Sequence, residues 1–99
     1  METYVRNEAI AVTATSGEIA QTFVGRGGRV NIVIKNISPN AADIISISLG
    51  STLAVAGTGI VLRQNDVWGD SNDSGYQCWQ DKIQAVCATA NGVISVMER

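Results

Sequence analysis

The chain has 99 residues, of which 45% are hydrophobic and only 16% are charged, and its net charge is −2. This length fits a single domain, 1–99, and the low charge predicts a surface that is partly buried against other subunits or that relies on uncharged polar loops. The acidic balance excludes nucleic-acid binding through clustered Lys and Arg, because the one basic cluster, Arg26 and Arg29, is better explained as a hairpin tip.

The N-terminal residues are charged and lack an apolar run, which predicts that no secretory signal is present and makes residues 1–7 a candidate N-terminal arm. After them the chain is rich in residues branched at Cβ, with eleven Val and eleven Ile against three Leu. Such residues suit the pleated surface of a sheet better than a helix. Eight strands are predicted, roughly at 8–15, 18–24, 29–37, 43–49, 60–63, 66–69, 82–89 and 93–98.

Apolar residues alternate with polar ones inside these segments, which is the mark of half-buried strands. Ile32 and Ile34 share one face of the third strand, with Asn31 and Lys35 on the other. We therefore expect an all-β domain, a single antiparallel β-sandwich of about eight strands with a jelly-roll-like topology. A small barrel is the alternative.

Turn-forming residues separate the strands, and Asn91-Gly92 is typical of a hairpin. The longest uncharged span, 44–62, is nineteen residues long and reaches the length that crosses a bilayer. Eight of its residues are Gly, Ser or Thr and its apolar positions alternate. We expect strands and turns there, and no membrane association.

Catalytic and metal chemistry find little support, since the chain contains no His. That removes the usual general base, the Ser-His and Cys-His nucleophile pairs and most transition-metal sites. Cys78 and Cys87 are too few for a disulfide framework and make a poor zinc site. A single bond between them is compatible with the sequence, although free thiols are expected in a cytoplasm. We expect a protein that is not an enzyme and has no cofactor.

Three carboxylates, Asp66, Asp70 and Asp73, lie close together in the sequence with Asn and Ser between them. Flexible loops with many oxygen donors can hold calcium, which makes these residues candidate metal ligands. The alternative is that Asp, Asn and Ser form turns by bonding to the nearby backbone. The spacing matches no calcium-loop motif, so the turn interpretation is preferred.

Aromatic residues concentrate in the same region, because Trp68, Tyr76 and Trp79 are three of the five aromatic residues in the chain. Trp and Tyr serve as anchors at protein interfaces and as platforms for sugars. They also fill the ends of β-sandwiches. We take these three residues as candidates for contact with a protein neighbour or a ligand.

The C-terminal part, residues 43–99, resembles small β-sandwich proteins of tailed phages and other icosahedral virions. The resemblance is carried by strand and turn residues in a fixed order, with Asn65 standing where the pattern usually has Gly before the acid. The matching positions are Leu49, Gly50, Gly59, Ile60, Leu62, Asp66, Trp79, Ile83, Ala85, Gly92, Val96 and Glu98.

The resemblance implies a structural virion protein that is made in the host cytoplasm and acts as a decoration, cement or minor capsid subunit. Its partners would be the major capsid protein or other virion proteins, and it would form a homo-oligomer, with a trimer favoured. Binding only the assembled lattice would stabilise the shell by mass action. The alternative is a spike or fibre-type host-recognition module that binds glycans, and an exposed aromatic shelf at Trp68, Tyr76 or Trp79 would favour it.

Overall fold

The computed structural model describes residues 6–21 and 28–99. Within these residues the chain forms eight strands and no helix, so the predicted all-β class is confirmed. Every predicted strand is present, with ends that differ by a few residues, and residues 22–24 of the second predicted strand lie outside the described part of the chain. The strands are β1 (Arg6–Val12), β2 (Gly17–Ala20), β3 (Asn31–Asn36), β4 (Ile45–Leu49), β5 (Ile60–Leu62), β6 (Val67–Ser71), β7 (Ile83–Cys87) and β8 (Gly92–Glu98).

The strands form two antiparallel sheets of four that pack face to face. Sheet A has the order β1-β8-β3-β6 and sheet B has the order β2-β7-β4-β5. Each pair β1–β8, β2–β7, β3–β6 and β4–β5 is antiparallel, and these pairs alternate between the two sheets. A long two-stranded ribbon rolled on itself has this order, which is the jelly-roll topology.

Alternation along the strands explains the core. In sheet A, Ile32 and Ile34 of β3 pair with Glu98 and Val96 of β8 and point inward. In sheet B, the inward side chains of β4 (Ile45 and Ile47) and of β7 (Ile83 and Ala85) are as completely buried as those of sheet A. The core residues are Val12, Ile19, Ala20, Ile32, Ile34, Ile45, Ile47, Leu62, Cys78, Ile83, Ala85, Cys87, Ile94 and Val96.

The Asn91-Gly92 hairpin prediction is wrong, because β7 and β8 belong to different sheets and do not pair with each other. The turn carries the chain from sheet B to sheet A. Gly92 is needed there for close approach, since a Cβ atom would lie 2.7 Å from Cys87 Sγ and 2.8 Å from the carbonyl oxygen of Val12.

The hairpin-tip interpretation of Arg29 is also wrong. The side chain of Arg29 is fully buried, and its Nε donates to Glu98 Oε2 at 2.8 Å. Arg26 lies outside the described residues. Of the predicted N-terminal arm, Arg6 and Asn7 belong to β1, and residues 1–5 lie outside the described part of the chain.

The span 44–62 forms β4, β5 and the connection between them. In the described ranges no helix is long and apolar enough to cross a membrane. The connection, residues 50–59, does not extend into solvent as a free loop. It crosses the outer face of sheet B, where Ala54 N–H donates to Ser16 Oγ and Gly57 N–H donates to Ser46 Oγ, both at 2.9 Å.

Candidate functional site

Asp70 organises the segment that carries the candidate aromatic residues. It lies on β6, two residues after Trp68 and on the same face of the strand. Its Oδ2 accepts a hydrogen bond from the hydroxyl of Tyr76 at 2.9 Å and one from the backbone N–H of Trp79 at 2.8 Å. The first of these bonds is the main reason why the pKa of Tyr76 is raised above 10.0. A single carboxylate therefore connects strand β6 to the segment 72–82.

The three candidate aromatic residues have different environments. Trp68 and Trp79 are partly buried and pack against the hydrophobic core, whereas the side chain of Tyr76 is 54% exposed. The indole N–H of Trp79 donates to the carbonyl oxygen of Lys82 at 3.0 Å. Trp79 lies in the segment between β6 and β7. Trp68 and Trp79 mainly close the sandwich, and Tyr76 is the one most open to a ligand.

The three candidate calcium ligands each serve the nearby backbone. Asp66 Oδ2 accepts from the N–H of Arg63, and Asp73 Oδ1 accepts from the N–H of Ser74. Asp70 is occupied by Tyr76 and Trp79, as described above. Within residues 6–21 and 28–99, no group of three or more acidic or cysteine side chains is arranged to hold a metal ion. Turn formation and segment anchoring account for all three carboxylates.

A buried charge cluster closes one end of the sandwich. Glu98 is nearly inaccessible and accepts from two cations, Arg29 at 2.8 Å and Arg6 at 3.1 Å. The other guanidinium nitrogens of Arg29 donate to the carbonyl oxygens of Gln21, Trp79 and Asp81. These donors join the residues just before β3 to segments that flank the strands of sheet B. Sequence reasoning missed this cluster, because nothing in the Gly-Arg-Gly-Gly-Arg pattern distinguishes a buried Arg from an exposed one.

Cys78 and Cys87 are both buried and both free. Cys87 ends β7, whereas Cys78 lies near the opposite end of that strand, close enough to Arg29 and Glu98 for their charges to act on it. The four residue steps from Ile83 to Cys87 alone cover roughly 13 Å, and a disulfide needs Cα atoms within about 7 Å. A bond between these two cysteines within one chain is therefore excluded.

One small cleft opens at the edge between β1 and β2, with a volume of about 80 Å³. Ile10, Val12 and Ile19 supply its apolar walls, and Glu18 supplies the only charge. Pockets for small molecules usually measure about 300–1,000 Å³. This cleft is too small to serve as a substrate site.

The outer face of sheet A is an extended surface with a single charged residue. Its residues point away from the core because their neighbours on each strand point inward. The side chains of Val67 and Met97 are 57% and 37% exposed. The sole charged member is Lys35. The face consists of Asn7, Ala9, Ala11, Asn31, Val33, Lys35, Val67, Gly69, Ser71, Val93, Ser95 and Met97.

Sheet B shows the opposite arrangement on its outer side. Gln84 and Val86 of β7 point outward but are only 5% and 6% exposed, and Ser46 of β4 is equally buried. The connection 50–59 lies over them.

Comparisons of this chain with protein-family models, with curated proteins and with solved structures found no match. A functional proposal therefore depends on the surfaces described above.

Proposed function

We propose that this protein is a structural virion protein, a decoration, cement or minor capsid subunit that binds a capsid lattice through the outer face of sheet A. The observation that carries the proposal is the composition of that face. Apolar and uncharged polar side chains cover it, and Lys35 is its one charge. Water is displaced from such a surface at little cost, because few charged groups lose their hydration.

The size of the face indicates how it would be used. Four strands about 4.8 Å apart and about five residues long make a face of roughly 19 by 17 Å. A standard interface buries about 800 Å² on each partner, well above what this face can supply. One subunit would therefore bind weakly. Several faces presented together to a repeating lattice would bind far more tightly, since linked sites add avidity without new contacts.

The partner that fits this description is a major capsid protein, whose copies repeat at fixed spacing. A protein that binds the assembled lattice and not its free subunits stabilises the shell by mass action. The protein acts in the virion as a homo-oligomer, without a cofactor and without catalysis. The contacts of the partly exposed Asp70 and of the buried Glu98 keep the sandwich rigid while the outer face of sheet A meets its partner.

Co-sedimentation of the purified protein with capsids tests this proposal. We expect the wild-type protein to pellet with them and Met97→Glu to reduce binding at least tenfold, because the new carboxylate would lie in the middle of the face. The matched control is Val55→Glu, at a residue that is 61% exposed on the opposite side of the sandwich. The control should bind like the wild type. The proposal is wrong if the wild-type protein does not bind capsids, or if both variants bind equally well.

Tyr76 favours a second candidate function, the glycan-binding module. It is the exposed member of the aromatic trio, and it holds a hydrogen bond to the partly exposed Asp70. Aromatic faces beside carboxylates suit sugar rings, which offer C–H groups and hydroxyls together. On this proposal Tyr76→Ala abolishes binding on a glycan array and leaves capsid binding unchanged. Loss of capsid binding alone would contradict it.

A further inference from the structure

The four edge strands of the sandwich differ in how they are protected from pairing with other chains. Exposed edges are normally protected by shortness, bulges, Pro or charged side chains. β5 has three residues, and β2 has four with a register shift between Glu18 and Ala20. β1 carries the ion pair Arg6–Glu8. Three of the four edges are therefore protected by known devices.

β6 lacks these devices. Its five residues contain no Pro and no Lys, and its register with β3 is continuous over its whole length. Its only charged side chain, Asp70, is engaged within its own chain by Tyr76 and Trp79. Among the described residues no strand lies on the other side of β6. The edge is continuous in register, uncharged on its outer face and unpaired within the described residues.

The register shows which backbone groups of β6 are unpaired. Asn36 N–H donates to the carbonyl of Asp66, and Asn72 N–H donates to the carbonyl of Val30. In an antiparallel ladder every second residue bonds to the same neighbour. The backbone N–H and C=O groups of Trp68 and Asp70 therefore point toward β3 and bond to it, as the backbone groups at positions 66 and 72 do. The N–H and C=O groups of Val67, Gly69 and Ser71 point away from β3 toward the open edge.

We propose that β6 pairs with β6 of a second copy of this chain, antiparallel about a two-fold axis at Gly69. The second copy fits because the unpaired groups complement themselves. Val67 would face Ser71 of the partner subunit, and Gly69 would face its own counterpart. In this register all six outward N–H groups find all six outward C=O groups, three from each copy. A strand in any other register leaves some of them unpaired.

Side chains on both faces agree with this register. On the outer face the exposed Val67 meets the small Ser71 of the partner subunit, and Gly69 places no side chain at the axis. On the inner face Trp68 would lie opposite Asp70 of the partner subunit. The indole N–H of Trp68 has no hydrogen-bond partner in the described residues, and a carboxylate is an acceptor for it. Residues directly opposite in a sheet lie within reach of such a bond.

Pairing through β6 goes beyond the proposed function, but it would enlarge the face on which that function depends. Residues that face each other in an antiparallel pair point to the same side of the sheet. The two copies of sheet A would form one eight-stranded sheet, with both outer faces on one side. The outer face of sheet A, with one Lys35 in each copy, would double in area without a change in its chemistry. An isologous pair of this kind closes as a dimer, whereas the trimer expected from the resemblance requires a heterologous contact.

Light scattering after size exclusion tests the inference. We expect a mass twice that of the 10.4 kDa chain for the full protein at micromolar concentration. Ser71→Pro removes an outward N–H and keeps the bonds to β3, because Pro is tolerated on an edge strand when its nitrogen faces solvent. It should weaken dimerisation at least tenfold. The matched control Ser71→Ala keeps the N–H and should remain dimeric.

Val67→Lys provides a second variant in case Ser71→Pro folds poorly. Lys is a common device against edge pairing, and the residue is already well exposed. We expect a folded monomer by circular dichroism and light scattering. A wild-type monomer, a trimer, or dimers that survive both Ser71→Pro and Val67→Lys would overturn the inference. Capsid co-sedimentation is scored separately, so a monomeric protein that still binds capsids leaves the proposed function intact.

Discussion

The two sheets of this sandwich resemble each other inside the molecule and differ outside it. Both contribute alternating apolar side chains, mainly Ile, to one core. On the outer side, sheet B is covered by its own connection 50–59, which is fastened to Ser16 and Ser46. Sheet A has no such cover in the described part of the chain, and Val67 and Met97 remain exposed. The chain thus closes one surface by itself and leaves the other open for a partner.

This difference separates outward apolar residues that stabilise the fold from outward apolar residues that are available to bind a partner. An outward Val on a covered sheet is part of a second small core, and changing it affects folding. An outward Val on an open sheet contributes little to folding, because it stays in contact with water in the isolated protein. On the proposed function, such a Val contributes free energy only when a partner binds. Variants on the two faces can therefore separate stability from binding.

The largest effect is expected from Val86→Asp, on the covered face. The new carboxylate would be buried beneath the connection 50–59 without a cation beside it, which costs about 4 kcal/mol of unfolding free energy. Val33→Asp, on the open face of sheet A, is the matched control and should cost about 1 kcal/mol, mainly through β-propensity. Urea unfolding monitored by Trp fluorescence measures both. Equal losses would show that the two faces are not different.

Gly59→Ala is expected to have the next largest effect, since this residue returns the connection to β5. Its φ is +71°, and an added Cβ atom would lie 2.5 Å from the carbonyl oxygen of Ile47. Strain and overlap together should cost about 3 kcal/mol. Gly57→Ala is the control in the same connection, with a φ of +82° and nothing within 4 Å of the added atom. It should cost about 1 kcal/mol, from backbone strain alone.

Ser46→Ala should destabilise the protein by about 1–2 kcal/mol, because the N–H of Gly57 loses its acceptor in a poorly hydrated position. The loss is expected to be local. Hydrogen exchange should accelerate at Gly57 and its neighbours more than in β3 or β8. Ser95→Ala removes a hydroxyl from the open face of sheet A and should change the unfolding free energy by less than about 0.5 kcal/mol. Uniform acceleration of exchange across both sheets would contradict the assigned role of Ser46.

The smallest effect concerns the edge of sheet A and appears in a titration. The hydrogen bond to Asp70 raises the pKa of Tyr76, because the negative carboxylate accepts a hydrogen bond from the protonated phenol and opposes formation of a phenolate. Asp70→Asn removes the negative charge, so Tyr76 should ionise at lower pH in that variant. Absorbance near 295 nm follows the change, with Tyr76→Phe identifying the signal against Tyr4. An unchanged titration would show that Asp70 does not hold this hydroxyl.

The alternation of apolar and polar residues predicted the strands because it depends only on residues that are close together in the sequence. The alternation of Ile45, Ser46 and Ile47 requires one buried and one outward side, and β4 has that orientation. The same alternation does not reveal whether the outward side is covered, because the cover comes from residues 50–59 folding back over the sheet. Ser46 looks like a solvent-facing residue in the sequence and is buried in the structure.

The candidate site was harder to predict for a related reason. The roles of Asp70 and Trp79 depend on a contact that spans nine residues and a turn between them. The outer face of sheet A combines residues from four strands that are distant in the sequence. The low overall charge of the chain predicted a surface that is partly buried against other subunits or that relies on uncharged polar loops, without saying where that surface lies. Only the order of the strands shows that it lies on sheet A.

The buried positions of Cys78 and Cys87 make this protein convenient for chemical labelling. Burial raises the pKa of the Cys78 thiol, so less of the reactive thiolate is present near neutral pH. A cysteine introduced on the open face, such as Ser95→Cys, would then react with a maleimide far faster than either native thiol. Protection of that new thiol in the presence of capsids, compared with a cysteine placed at Val55, would map the contact surface in solution without replacing either native cysteine.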